Sequence, residues 1–151
     1  MINGNSGMQG KGERLDITRI FDAPCDIVWK AWTDPVHAKQ WGPKGFTTPK
    51  REMEFRPGGA WHAVMIAPWG EEFRQHGVVR EVVPMERLSF TFIWDSTPDV
   101  EMLVTVTFKD RGRKTEMTFR QTGIVSEASR EGHEGGWTEA FDRLEALLPS
   151  V

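Results

Sequence analysis

The chain has no tyrosine, a single cysteine and no long apolar run. One cysteine, Cys25, excludes an internal disulfide and fits a reducing, cytoplasmic setting. It falls in the first turn of a predicted helix, a place that suits a small packed residue and also an activated thiol. No stretch reaches the ~20 apolar residues needed to cross a bilayer, so no membrane span is expected. Residues 1–12 lack a basic region followed by an apolar one, which is not the pattern of a signal peptide. They are glycine-rich and polar, and read as a disordered tail ahead of one domain over residues 13–148. Net charge is −3 and the Lys and Arg residues are scattered. Without a concentrated basic surface, nucleic acid is excluded as a partner. The densest basic group, Arg111, Arg113 and Lys114, flanks Gly112 and reads as a solvated turn.

Signatures of dedicated chemistry are missing too. The histidines His37, His62, His76 and His133 show neither His-x-His nor i, i+4 spacing, and there is no Cys-x-x-Cys pair, so neither a metal nor another cofactor is expected. No Gly-x-Ser-x-Gly elbow is present. The glycines of residues 7–12 have the wrong spacing for a phosphate loop. Glu52, Glu54, Glu71 and Glu72 read as exposed strand and turn positions.

What the chain does have is aromatic bulk: seven Trp and nine Phe in 151 residues. A chain of this length buries roughly two thirds of its unfolded surface. Its aromatics either fill the core or line an apolar pocket, since both uses draw on the same residue types. Residues 13–21 alternate, with Leu15, Ile17 and Arg19 on one face, and predict a strand. Pro24 suits a first helical position, and Ile27, Val28, Ala31 and Trp32 form one apolar stripe behind it. Pro35 stops that helix, and Asp34 suits the cap of a second short one. The period then becomes two. Strands are predicted over Thr48–Phe55, Ala60–Ala67, Phe73–Val83, Leu88–Trp94, Val100–Phe108 and Thr115–Gln121, with Gly77 marking a bulge or a close backbone approach. Trp137, Phe141, Leu144 and Leu148 return to helical spacing. Ser126 or Ser129 suits the cap of a long helix, in which Gly132, Gly135 and Gly136 leave room beneath; a shorter helix starting near Gly136 is the alternative. The sum is an α+β domain: one strand, two short helices, six consecutive antiparallel strands and a C-terminal helix across them.

These residues resemble a known family. Val28-Trp29-Lys30-Ala31-Trp32-Thr33-Asp34-Pro35, Gln40-Trp41-Gly42-Pro43, Gly45-Phe46-Thr47 and Arg56-Pro57-Gly58-Gly59 are similar to segments of the bacterial homologues of the heat-shock ATPase activator. So are the run from His76 to Leu88, Thr115-Glu116-Met117-Thr118-Phe119 and Gly135-Gly136-Trp137. That family sits in the START-related (SRPBCC, Bet v 1-like) superfamily, and the likeness covers about residues 13–148. It implies a helix-grip fold, a curved antiparallel sheet wrapped around the long C-terminal helix, with two short helices between strands 1 and 2. It implies a cavity more than a reaction, because function lives in the site and not in the fold. It also admits a homodimer.

The cavity candidates are Trp41, Trp61, His62, His76, Phe90, Phe92, Trp94, Trp137 and Phe141. Phe90, Phe92 and Trp94 share a strand face, and Trp137 and Phe141 face them from the helix. Trp61 and His62 point to opposite faces, and His76 precedes Gly77. The favoured function is binding of a small hydrophobic or aromatic ligand in an internal cavity. A cyclase- or hydrolase-like enzyme with His62 or His76 as general base is the first alternative. A stress-response or chaperone-associated interaction module, using a sheet edge or Trp69, is the second.

Overall fold

A computed structural model describes residues 12–151 of the chain. The expected tail therefore lies outside the described residues, apart from Gly12. Strand β1 (Glu13–Phe21) leads to helices α1 (Cys25–Thr33) and α2 (Pro35–Ala38). Strands β2 (Thr47–Met53), β3 (Ala60–Ile66), β4 (Glu72–Val83), β5 (Arg87–Trp94), β6 (Met102–Arg111) and β7 (Lys114–Ile124) follow, then helix α3 (Glu127–Leu147) and a short 3-10 turn (Leu148–Ser150). The strands form one seven-stranded antiparallel sheet in the order β1-β7-β6-β5-β4-β3-β2. The six consecutive strands are thus a meander, and β1 adds to its far edge beside β7.

Local chemistry explains the element ends. Pro24 is the cap of α1, one place before the position the sequence suggests: its backbone is extended (ψ 162°), while its carbonyl accepts from the N–H groups of Ile27 and Val28. Asp34 caps α2, its carboxylate accepting from Val36 N at 2.9 Å. Strand β2 stops at Met53, two residues early, because Arg56 N donates to Glu54 O and Gly59 N to Arg56 O, turning the chain back. Strand β6 starts later than predicted and runs on to Arg111. Val100 N donates to Thr97 O in a turn before it, while Arg111 pairs with Lys114 across a tight hairpin with Gly112 at φ 77°.

Helix α3 takes the long form. Ser126 caps it, its hydroxyl accepting from Ser129 N at 3.1 Å. The C-terminal part of α3 buries Ala140, Phe141 and Leu144. They join Leu15, Trp32, Met117 and Phe119 in the core. Arg19, on the same strand face as Leu15, reaches Asp142 and Glu145 of α3, both at 2.9 Å. Cys25 is half-buried against this core, with the Thr115 hydroxyl 3.5 Å from its sulfur.

Candidate functional site

The N-terminal part of α3 lies over the opposite half of the sheet, where the packing opens into a cleft of about 480 Å³. Its floor comes from the inward-facing residues of β2 to β5: Arg51 and Met53, Trp61, Ala63 and Met65, Phe73 and Gln75, then Phe90, Phe92 and Trp94. Its roof comes from Ser129, Gly132, His133, Gly136 and Trp137 on α3, and its rim from Trp41, Gly42, Pro43 and Phe46. A side-chain carbon added at Gly132 would meet nothing within 4 Å, so the missing side chain is open space. The rim segment is tied to α3 by Arg143, whose guanidinium donates to the carbonyls of Gly42 (3.2 Å), Pro43 (2.9 Å) and Phe46 (3.1 Å).

Of the nine residues singled out in the sequence, Trp41, Trp61, Phe90, Phe92, Trp94 and Trp137 come together around this cleft. Three do not. Phe141 is fully buried in the packed core, in contact with Trp32, Trp41 and Phe119. His62 and His76 pair across β3 and β4 on the outer face of the sheet, because strand alternation sends them away from Trp61 and Gly77. There each meets a carboxylate, His62 with Glu52 at 3.1 Å and His76 with Asp95 at 2.6 Å. Neither reaches the cleft, so the general-base role expected of them in that cavity has no geometric support.

Gly77 marks a close approach and not a bulge. The Trp61 indole N–H passes over it to donate to Thr91 O at 2.7 Å, and any side chain at 77 would collide with both groups. The register irregularity of β4 lies further on, between Val79 and Glu81.

Residues 22–149 match the family model described as Activator of Hsp90 ATPase homolog 1-like protein (AHSA1). The chain belongs to that family. Among solved structures, protein CV1439 from Chromobacterium violaceum is similar at 28% identity, with 89% of this chain and 96% of that one covered and a TM-score of 0.82. Protein NE0264 from Nitrosomonas europaea shows 27% identity, 91% and 94% coverage and a TM-score of 0.78. The AHSA1 protein from Silicibacter pomeroyi shows 25% identity, 91% and 98% coverage and a TM-score of 0.81. No curated protein matches the chain. The curved sheet, the long C-terminal helix and the two helices before β2 are the helix-grip arrangement of these AHSA1 structures.

Sequence reasoning missed several residues of this AHSA1 cleft. His133 lies in its wall, and both ring nitrogens are engaged. Nε2 accepts from Trp94 Nε1 at 3.0 Å, and Nδ1 donates to Ser129 O at 2.8 Å, which fixes a neutral tautomer. Fully buried Gln121 accepts from Trp137 Nε1 at 3.0 Å and so orients that ring. Arg51 is the sharper omission. Its guanidinium stacks 4.9 Å from the Trp41 ring centre and donates to Ala38 O at 3.0 Å. Burial pushes its pKa down to about 10, which still leaves it charged at neutral pH. The Lys50-Arg51-Glu52 run conceals it: a charged residue in a polar edge strand reads as solvent-facing, and only its pairing with Ala63 of β3 turns it inward.

Among the described residues no cluster of three or more His, Cys, Asp or Glu is placed to hold a metal. No helix of the described residues is long and apolar enough to cross a membrane.

Proposed function

We propose that the protein binds a small hydrophobic or aromatic molecule in the cleft between β2–β5 and the N-terminal part of α3. The observation that carries this reading is the pairing of an aromatic wall with a glycine-bearing helix. Phe90, Phe92, Trp94 and Trp137 converge on a space that Gly132 leaves unfilled, while Gly136 lets the rim residue Pro43 approach the helix. A volume near 480 Å³ lies in the range of small-molecule sites, which combine apolar walls with a few placed polar groups. The AHSA1 fold fits the same use, since a sheet gripping a helix encloses space between them.

Binding suits the cleft better than catalysis does. The one histidine in its wall spends both nitrogens on protein partners, so it has no free base to offer a substrate. A cytoplasmic location, reasoned from the lone cysteine, belongs to the same reading.

A native mass spectrum of the full-length, tag-free protein tests it. The expected result is an adduct of a few hundred daltons that leaves on denaturation. A spectrum with the bare mass alone, together with no binding of aromatic or alkyl probes, would overturn the reading. The same spectrum reads out the oligomeric state, where the homodimer admitted by the resemblance would show as a doubled mass.

A further inference from the structure

The polar atoms around the cleft divide into those already used and those still free. All four indoles of its wall donate to protein: Trp41 to Ala31 O (3.0 Å), Trp61 to Thr91 O (2.7 Å), Trp94 to His133 Nε2 (3.0 Å) and Trp137 to Gln121 Oε1 (3.0 Å). Toward the cleft these rings offer apolar surface. Arg51 and Gln75 are among those that keep spare donors. Arg51 spends one nitrogen on Ala38 O and is in no ion pair among the described residues; the one carboxylate of the cleft lining, Glu139, is engaged at the rim, where it accepts from Lys44 N at 3.1 Å. Gln75 is buried at 7% exposure as a residue, yet its amide is not among the enclosed polar atoms left without a partner, so what it does not give to protein it presents to the open cleft.

Strand register places these two groups together. Arg51 pairs with Ala63 of β3, and Ala63 pairs with Gln75 of β4, so the three form one row on the cleft face. The middle residue is only a methyl group. With strands ~4.8 Å apart, the cation and the amide stand roughly 10 Å apart at the backbone, with an open shelf between them. Arg51 is half-buried and stacked on Trp41, and the Gln75 amide is not sealed off from the cleft, so both can meet a ligand there. One ligand group suits both, an anion with two oxygens, because guanidinium donates to a carboxylate as a planar fork and the amide N–H supplies a further bond.

We propose that the ligand of the cleft is an amphipathic carboxylate, held with its carboxylate over Ala63 between Arg51 and Gln75 and its apolar body along Phe90, Phe92 and Trp94 beneath Gly132 and Gly136. The assignment rests on the ligand-binding reading above and adds the chemistry and the orientation of the ligand to it.

Isothermal titration calorimetry on the full-length protein tests this with two matched pairs of probes, 1-naphthoate against 1-naphthamide and decanoate against decanamide. The expected result is that each acid binds at least about ten-fold tighter than its amide, as a charge-assisted pair implies. Arg51→Met removes that preference and Arg51→Lys keeps part of it. Gln75→Leu lowers it several-fold and carries the test if Arg51→Met does not fold. Equal binding of acid and amide by the wild type would overturn the carboxylate assignment while leaving the ligand cleft standing. A preference surviving in folded Arg51→Met would do the same. Failure of all four probes to bind would overturn the cleft reading and the assignment with it.

Discussion

The two parts of helix α3 cover the same sheet and do opposite things. Toward its C-terminus, Ala140, Phe141 and Leu144 fill the space against β1 and β7, with Phe141 5.4 Å from Phe119 by ring centre. Toward its N-terminus, Gly132 leaves the aromatics of β5 facing open space. The aromatic side chains do not differ in kind between the two regions. What differs is the helix above them, and a hollow arises where large residues on the sheet meet absent side chains on the helix. Aromatic content alone therefore cannot separate a core from a pocket.

The contrast can be broken most directly by truncation on each side. Phe141→Ala is expected to cost about 3–5 kcal/mol, as for a fully buried phenylalanine whose cavity cannot collapse. Phe73→Ala, at a half-buried cleft position, is expected to cost less than about 2 kcal/mol. Urea denaturation measures both, and equal losses would erase the distinction between the packed and the open half. A steric test comes next. Gly77→Ala drives a methyl group into the Thr91 carbonyl and the Trp61 indole nitrogen. A loss of about 2–3 kcal/mol is expected, together with a displaced Trp61 indole N–H resonance.

Gly132→Ala acts in the other direction. Its methyl meets open space, so the helix gains about 1 kcal/mol of stability while the cleft narrows. Higher melting temperature with weaker probe binding is the expected pair of outcomes. Unchanged binding would place the ligand elsewhere.

The smallest effect belongs to the filled half. Burial raises the pKa of Asp16, but Arg120 and Arg14, both at 2.8 Å, outweigh it and leave the carboxyl below its usual value. A lowered folded-state pKa gives stability that is present above the unfolded pKa near 3.8 and is lost as pH falls through the folded value. Asp16 is largely exposed, so the contribution is about 0.5 kcal/mol or less. Asp16→Asn should flatten the acid limb of a stability–pH curve only slightly between pH 5 and pH 2.

Much of the fold was legible because punctuation and period agree. Pro35 stops α1 and Asp34 caps α2, Gly112 closes the β6–β7 hairpin, and Ser126 caps the long α3. The errors lie where polar residues continue a strand, as at Lys109–Arg111, or where a turn cuts an alternating run short, as at Glu54. The cleft was legible in its aromatics, since alternation sets Phe90, Phe92 and Trp94 on one face. It was illegible in its polar groups. Whether Arg51 faces in or out depends on its register with Ala63, a property of two strands that neither reveals alone. The histidines misled for a related reason: His62 and His76 look available in sequence, and the pleat turns both outward beside Glu52 and Asp95.

The most direct test of a ligand cleft in the open half is a titration of ¹⁵N-labelled protein with 1-naphthoate, following the indole N–H signals of the seven tryptophans. Trp41, Trp61, Trp94 and Trp137 line the cleft and should shift together and saturate, while Trp29, packed edge-on against Phe108 at 5.6 Å, stays in place. Shifts at Trp29 with the cleft indoles unmoved, or no saturable shift at any of them, would contradict the account.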